Sequence, residues 1–366
     1  MKRKRILIPI IIIVFMLILN IVAWISTAFS DFYVNKIFPV IMTPFSFLTG
    51  LFPFSVGELL IKIGLIALVI GIVLFIILMI TKKFPRKKVI SVYAVTILWI
   101  ATYIFSSLTT NFFILYHCTR FSDKYFIENE HNDSQLIELY NIIVENANEL
   151  SEKVQRDENG FFVLSDDLNS NAKSALKNIS DEYPLLNGYY PNAKAISSDY
   201  FMSQNALLGI YFPFSLEANY NPVTYDINLP NTICHEFAHL KGIIQEDEAG
   251  FLAFIACINS ESNDFKYSAY INALEYVYNE MCNSGISIYS DDIVQINSNV
   301  DKDLFKFVPE QYWEENEDKE IISTETIEVI SDFTIDTSLK LNGVEDGANS
   351  YDRMVNLLLD YYFPSK

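Results

Sequence analysis

The sequence predicts a three-helix transmembrane region followed by an α+β domain in which helices dominate. Long charge-free apolar runs occur only in the first third of the chain, and helical periodicity with one short stranded region marks the remainder. The chain has 366 residues, 51% of them hydrophobic, and a net charge of -19. This apolar content excludes a disordered tail, and four cysteines are too few for a disulfide-built scaffold.

The charge is divided unevenly along the chain. Residues 1–109 contain 11 Lys/Arg and two Asp/Glu, whereas residues 110–366 contain 15 Lys/Arg and 43 Asp/Glu. So acidic a second part would repel phosphate groups, and we therefore expect no nucleic-acid partner. The division predicts a membrane region over 1–109 and a separate domain over 110–366, consistent with about two domains for this length.

Three charge-free runs, 6–28, 63–81 and 89–109, approach the roughly 20 apolar residues that a membrane-spanning helix needs. The first run could also be a cleaved signal peptide, but it is longer than the usual apolar core of about 7–15 residues. The Phe- and Pro-rich segment 38–54 is expected either at the membrane interface or as a loop packed on the helix ends.

The basic clusters 2–5 and 82–88 predict the orientation of the spans, because short basic loops stay in the cytoplasm. Three crossings then place residues 110–366 outside the cytoplasm. We therefore expect a multi-pass protein of the cell membrane, with the lipid bilayer as a partner, a cytoplasmic N-terminus and an extracytoplasmic domain.

The sequence of residues 110–366 predicts helices around a short stranded region. Gly209 and Pro213 mark a bulge or an unpaired strand edge. The periodicity and turn residues predict helices from Asp133 or Ser134 to 154 and over 166–179, strands over 193–196 and 207–214, helical structure over 230–282, and helices over 291–307 and 351–362.

The segment Asn231–His239 contains His-Glu-x-x-His. On a helix, His235 and His239 lie on one face and can bind the same metal ion, and Glu236 can act as the general base on a water at that metal. Pro230 suits the first turn of this helix, and Gly242 stands where a left-handed residue would end it. A pair of surface histidines is the alternative interpretation.

A catalytic zinc ion needs a third protein ligand, and the next helix offers Glu246, Asp247 and Glu248. Small Ala249 and Ala253 follow Glu246 on its own face and would allow close helix packing, which favours Glu246. Glu248 lies about 200° around the helix and is the alternative ligand. Alternatively, none of the three carboxylates binds a metal, and all of them only stabilise the positive end of the helix dipole.

His-Glu-x-x-His followed by a helix beginning Glu-x-x-Ala resembles the gluzincin metallopeptidases, in which that Glu is the third zinc ligand. Gly250 stands where Asn or Asp would be expected after the alanine. Over nearly its whole length the chain resembles a bacterial family, domain of unknown function 3810, of membrane-anchored zinc-peptidase type. The resemblance is carried by the three apolar runs, Gly209-Ile-Tyr-Phe-Pro-Phe, Glu217-Ala-Asn219, Ile233-Cys-His-Glu, Glu246-Asp-Glu-Ala, Tyr267-Ser-Ala-Tyr270 and Ser350-Tyr351.

The resemblance implies a zincin-like, gluzincin-like domain that binds Zn²⁺ and hydrolyses a peptide bond in an extracytoplasmic protein or peptide. The competing hypothesis is an inactive sensor or assembly protein of the cell envelope that keeps the fold. The strand over 207–214 could bind extended substrate by strand addition, or be an ordinary core strand.

Three tyrosines, Tyr267, Tyr270 and Tyr351, are candidates to donate a hydrogen bond to the developing oxyanion, although most of the 22 tyrosines must be packing residues. Cys234 and Cys257 are expected as buried thiols. The sequence does not decide whether Cys118 and Cys282 form a disulfide bond.

Overall fold

A computed structural model describes residues 2–81, 83–320, 322–327, 329–331, 337 and 353–364. The chain divides into two compact units, one of residues 1–118 with 212–217 and one of residues 119–211 with 218–366. The helices of the first unit are α1 (Lys2–Ile25), α2 (Thr27–Phe32), α3 (Phe38–Gly50), α4 (Val56–Thr81), α5 (Arg86–Leu108) and α6 (Ile114–Tyr116), with π-helical turns at Tyr33–Ile37 and Thr109–Phe113.

Within the part of the chain that the structure describes, three helices are long and apolar enough to cross a membrane, over Lys4–Ile25, Val56–Thr81 and Arg86–Tyr116. The prediction of three apolar helices that could cross a membrane is confirmed. The second of these helices begins at Val56, earlier than the charge-free run that starts at residue 63. The charged residues Glu58 and Lys62 lie within the helix, where they form an ion pair of 2.7 Å. The Phe- and Pro-rich segment is helical over Phe38–Gly50, as α3, so the loop alternative is wrong there. Its location at the membrane interface stays a prediction.

Residues Phe212–Glu217, named here the 212–217 loop, belong to the first unit. Its backbone carbonyls accept hydrogen bonds from polar side chains of the apolar helices. These bonds run from Ser107 Oγ to Pro213 O (2.9 Å), Asn111 Nδ2 to Pro213 O (2.6 Å), Tyr103 Oη to Phe214 O (2.8 Å) and Ser46 Oγ to Leu216 O (2.8 Å). Three backbone oxygens of the loop are therefore satisfied inside the helical unit.

The Glu217 carboxylate caps the first turn of α4. It accepts hydrogen bonds from the backbone N–H groups of Val56 (3.1 Å) and Gly57 (2.7 Å). The first amides of a helix have no partner within the helix, and a carboxylate there also favours the positive end of the helix dipole. A Cβ on Gly57 would collide with Phe212 Cδ2, so this approach requires glycine.

The second unit is helical with short strands. Its helices are α7 (Phe121–Tyr125), α8 (Asp133–Ser151), α9 (Leu168–Asn178), α10 (Asp199–Gln204), α11 (Leu229–Leu240), α12 (Glu246–Ile258), α13 (Asn263–Asn283), α14 (Ser298–Asp303), α15 (Glu310–Glu315) and α16 (Met354–Tyr362). The strands are β1 (Gln155–Arg156), β2 (Phe162–Val163), β3 (Lys194–Ala195), β4 (Gly209–Phe212) and β5 (Glu217–Tyr220).

The helix-dominated α+β architecture is confirmed, with α8, α9 and α11–α13 close to their predicted ranges. The helix predicted over 291–307 is wrong in extent. Asn297 caps only the short α14, and Leu304 is extended, so the helix ends there. The strands β1, β2 and β5 were not predicted. The predicted C-terminal helix is present as α16, while Tyr351 lies outside the described residues.

A three-stranded sheet has the order β3-β5-β4, which places β4 at an edge. β3 and β5 are parallel, with Lys194 opposite Asn219 and Ala195 opposite Tyr220. The Asn219 side chain donates to Ile210 O of β4 at 3.1 Å and supports the edge strand.

All four cysteines are free thiols, so no bridge joins Cys118 and Cys282. Cys234 and Cys257 are buried, as predicted, on α11 and α12.

Candidate metal centre

Helix α11 carries the His-Glu-x-x-His motif and is held in the core by its apolar face. Ile233, Phe237 and Leu240 have no exposed surface, and Pro230 lies in the first turn. The helix ends because Gly242 has a φ of 91°, a left-handed conformation that glycine adopts without strain. This sharp end leads the chain through Ile243 and Ile244 to α12.

The structure brings together His235, His239 and Glu246. Glu246 Oε2 lies 3.0 Å from His235 Nε2 and 3.6 Å from His239 Nε2. One ligand atom from each of the three residues lies within 4.8 Å of the others. Among the residues that the structure describes, these three make up the group of His, Cys, Asp or Glu side chains placed to share a metal ion.

The second ring nitrogen of His239 is held by the chain itself. Its Nδ1–H donates to the Ile243 carbonyl at 2.8 Å, just beyond the end of α11. Such a bond to the other ring nitrogen fixes the ring orientation and the tautomer of a metal-binding histidine. The Nε2 atom is thereby directed to the position shared with Glu246.

The three side chains are strongly coupled through charge. Burial would lower the pKa of His239, but the adjacent Glu246 carboxylate outweighs it and raises the pKa to about 9. Burial would raise the pKa of Glu246, but the two histidines hold it well below its usual range. Burial lowers the pKa of His235. Without a metal, the Glu246 carboxylate and a protonated histidine therefore stabilise each other. A metal cation between them would supply the same positive charge to the carboxylate.

Glu236 is buried beside this group, and its Oε2 atom has no hydrogen-bond partner within the described part of the chain. Burial raises the pKa of its carboxyl group to about 8. An unpartnered buried carboxyl oxygen is costly, and a catalytic role or a bound water or ion is among the explanations for one. The backbone of β4 passes directly over this side chain, since a Cβ on Gly209 would lie 2.5 Å from Glu236 Oε1.

The other two carboxylates of α12 do not join the histidines. Glu248 accepts hydrogen bonds from Arg120 Nε (2.8 Å), Ser122 N (2.8 Å) and Ser122 Oγ (2.6 Å). Asp247 pairs with Arg120 and, at 3.0 Å, with Arg353 Nε. Both side chains are fully buried, so these ion pairs hold the start of α12 and leave Glu246 facing the histidines.

Sequence reasoning missed Arg120 and Arg353, although a usable pattern was present. Residues 110–366 contain only three arginines, Arg120, Arg156 and Arg353, in a strongly acidic domain. Each pairs with a buried aspartate, Asp247 or Asp303. Scarce arginines in such a domain indicate buried carboxylates that need a counter-ion.

The tyrosines proposed from sequence are engaged elsewhere. Tyr267 donates to Asp303 Oδ2 at 2.6 Å and receives a bond from Arg156. Tyr270 hydrogen-bonds to Tyr362 and packs on Phe254. Tyr351 cannot be placed, since it lies outside the described residues. The ring of Tyr211, which sequence reasoning did not single out, lies 5.9 Å from the His239 ring.

The donor set fits a zinc ion of the catalytic type. Two imidazole nitrogens and one carboxylate oxygen are the ligands of such sites, with a fourth position left for water. The unpartnered Oε2 of Glu236 beside them suits a base that would bind that water. Gly250 lies at the back of this group, where an added Cβ would be 3.9 Å from His235 Nδ1 and 3.3 Å from Met354 Sδ.

No curated protein and no solved structure shows a significant match to the chain. A family model described as "Protein of unknown function (DUF3810)" matches residues 33–359. Because this match covers most of its length, the chain belongs to the DUF3810 family.

Proposed function

We propose that the protein is a membrane-bound zinc metallopeptidase of gluzincin type that cleaves a peptide bond outside the cytoplasm. The observation that carries the proposal is the convergence of His235, His239 and Glu246 beside the buried, unpartnered carboxyl of Glu236. A metal site that only stabilises a fold is usually closed by four Cys or His ligands and needs no such neighbouring carboxyl.

His235, His239 and Glu246 would hold the ion, which supplies Lewis acidity to the scissile carbonyl and to a water molecule. Glu236 takes the proton from the attacking water and delivers it to the leaving nitrogen, so that one residue serves as base and then as acid. Its carboxyl group is buried beside the three candidate ligands, within reach of a reacting group held there. Ile243 O keeps the His239 ring oriented throughout.

The edge strand β4 supports a polypeptide substrate. An edge strand offers unpaired backbone groups to which an extended peptide can add as a further strand. Gly209 of β4 lies against Glu236, so a peptide bound along this strand would pass the general base. Main-chain pairing is independent of side chains and suits a protein or peptide substrate.

The basic clusters support the proposed orientation. Residues 2–5 and 83–88 carry Lys and Arg next to the apolar helices, and short basic segments stay in the cytoplasm. Protease added to intact cells should therefore digest the domain that contains His235 while a tag placed at residue 83 stays protected. If the large domain is protected from the protease, the proposed orientation is wrong and the substrate must be cytoplasmic.

The activity is tested with the full-length chain in nanodiscs, by zinc analysis and by cleavage of an internally quenched peptide library. We expect about one zinc per chain, loss of zinc in His235→Ala and His239→Ala, and loss of cleavage with retained zinc in Glu236→Gln. Glu138→Gln, an exposed carboxylate change, serves as the control. A chain without zinc would refute the proposal, and zinc without cleavage would favour the sensor or assembly protein.

A further inference from the structure

We propose that the rings of Tyr200, Tyr312 and Trp313 bind a positively charged lysine or arginine side chain of the substrate polypeptide. These three rings are named here the aromatic patch. The inference rests on the proposed peptidase function and adds to it a class of substrate, a basic polypeptide. The binding step needs neither the metal nor cleavage, so it is tested separately from the reaction.

The aromatic patch joins two helices of the second unit. Tyr200 lies on α10, and its ring centroid is 5.7 Å from that of Trp313 and 6.5 Å from that of Tyr312, both on α15. The Trp313 ring stands at 69° to the Tyr200 ring and at 75° to the Tyr312 ring. Rings packed edge to face leave negative ring faces directed outwards. Tyr312 and Trp313 are only half-buried, so part of this surface is accessible.

The surroundings of the aromatic patch are strongly acidic. The Asp199 carboxylate accepts a hydrogen bond from Tyr312 Oη at 2.9 Å and holds that ring in place. Six further carboxylates of the same segment are exposed, namely Glu310, Glu314, Glu315, Glu317, Asp318 and Glu320. Burial, followed by the charges of the last three of these, raises the pKa of the Tyr200 phenol, so those charges act on the patch. Lys319 is the single basic residue over 310–320.

Within the described part of the chain, neither the aromatic patch nor these six carboxylates has a lysine or arginine as a partner. In the second unit, the cations over aromatic rings are Arg156 at Tyr267, Lys241 at Tyr190 and Lys302 at Phe161. The ion pairs of this unit likewise involve other carboxylates. The patch is therefore open to a cation from another molecule.

An ammonium or guanidinium group matches both features of the patch. It is attracted to the negative ring faces and to the carboxylates at once. The acidic surface repels phosphate groups and anionic lipids. A divalent metal ion would use carboxylate oxygens and have no need of three rings. The combination therefore selects a lysine or arginine side chain.

Helix α10 leads into the edge strand β4, and the N–H of Leu207 donates to Met202 O at 3.0 Å in the turn between them. From the Cα of Tyr200 to that of Gly209 the chain spans at most about 23 Å, given four helical steps and five extended ones. Because Gly209 lies against Glu236, a peptide extended from the proposed general base reaches the patch within about seven residues. The basic residue is expected within that distance of the cleaved bond.

Binding is tested with full-length Glu236→Gln chain, which leaves the peptide uncut, in nanodiscs of uncharged phosphatidylcholine. The probe is a dye-labelled Gly/Ser peptide with two lysines, compared with the same peptide carrying norleucine. Fluorescence anisotropy gives the affinities. Fluorine NMR of fluorotryptophan-labelled chain locates the site, because Trp313 is the single tryptophan of residues 110–366. Tyr289→Leu, which removes an exposed aromatic ring elsewhere, is the matched control.

We expect the lysine peptide to shift the Trp313 signal and to bind more tightly than the norleucine peptide. Trp313→Leu should weaken its binding roughly three- to tenfold, as for loss of a cation–π contact. The double variant Glu317→Gln/Asp318→Asn keeps all three rings and should weaken binding by removing charge. Higher ionic strength should do the same. Tyr289→Leu should bind as the unchanged chain does, and thermal unfolding checks that each variant is folded.

Cleavage is tested with the otherwise wild-type chain and zinc. The best-cleaved library peptide receives lysine or norleucine at successive positions up to seven residues on either side of the cut bond. Lysine on one side should lower KM roughly three- to tenfold and leave kcat unchanged, because the patch lies away from the reacting atoms. Trp313→Leu should abolish this preference without changing kcat.

The outcomes separate this inference from the proposed function. Cleavage without a lysine preference, and equal binding of the lysine and norleucine peptides, would overturn the patch and leave the peptidase proposal intact. Lysine-peptide binding that Trp313→Leu leaves unchanged would reduce it to general attraction by an acidic surface and overturn the site. A Trp313 shift with Ca²⁺ alone that displaces the peptide would make it a metal site instead. Patch binding in a chain that never cleaves would support the inference and refute the peptidase.

Discussion

Gly209 lies against the carboxyl group of Glu236, and a Cβ at position 209 would be 2.5 Å from Oε1 and 2.8 Å from Cγ of that residue. Contacts this short do not occur for a real Cβ atom. Glycine is therefore required because the backbone of β4 and the proposed general base approach each other directly. The relationship brings the edge strand against α11, the helix that carries the candidate metal ligands His235 and His239.

Gly209→Ala should reduce peptide cleavage by at least tenfold, because Glu236 and Thr232 must shift to admit the methyl group. Overpacking of this kind costs about 1–3 kcal/mol. Zinc content should stay near one per chain, since Gly209 contacts the base and not a ligand. Gly71→Ala, where a Cβ would meet nothing within 4 Å, is the control. Full activity in Gly209→Ala would show that the strand and Glu236 are not in working contact.

Glu246→Gln and Glu248→Gln should have opposite signatures. Glu246→Gln should weaken zinc binding by more than the roughly 10–100-fold known for changes beyond the direct ligands. Glu248→Gln should leave zinc in place and lower stability, because it weakens the pair with Arg120. Zinc titration and thermal unfolding of the two variants check this. The reverse pattern would make Glu248 the ligand.

Arg120→Met should destabilise the second unit by about 3 kcal/mol, because it leaves the fully buried Asp247 and Glu248 short of a counter-ion. Arg353 still neutralises part of the charge on Asp247. Thermal unfolding measures the loss, with Lys153→Met as the control, since its exposed partner Glu149 is worth little. Equal stability of both variants would mean that the cluster does not hold α12.

Glu217→Ala should destabilise the start of α4 by about 1 kcal/mol, as expected for loss of a helix cap. The amides of Val56 and Gly57 then lose their acceptor. Hydrogen exchange followed by mass spectrometry should show faster exchange at residues 56–59 and unchanged exchange in the middle of α5. Unchanged exchange at both places would show that the cap contributes nothing.

Glu275 should make stability depend on pH. Burial raises its pKa from 4.5 to about 7, while the N–H of Phe305 donates to its carboxyl at 2.8 Å. The neutral form is favoured in the folded state, so this residue's contribution is fully present below pH 4.5 and is lost as the pH rises through about 7. Glu275→Gln should therefore be more stable than wild type at pH 8, by on the order of 1 kcal/mol or more, and equal at pH 4. Denaturant unfolding at both pH values checks it, and a constant difference would contradict it.

The sequence alone determined the three apolar helices and helix α11 with its His-Glu-x-x-His motif, because both depend on local properties. A long charge-free run predicts an apolar helix by its length, and His235 and His239 share a face by helical periodicity alone. Pro230 and Gly242 likewise mark the ends of α11 through their own backbone preferences.

Only the tertiary structure distinguished Glu246 from Glu248, because that choice depends on partners distant in sequence. Arg120 and Ser122 take up Glu248, and Arg353 joins Arg120 at Asp247, leaving Glu246 for the histidines. The same holds for Tyr211, whose place beside His239 follows from the packing of β4 on α11 and has no trace in local periodicity. Periodicity places a residue on a face of its own element, while packing decides what that face meets.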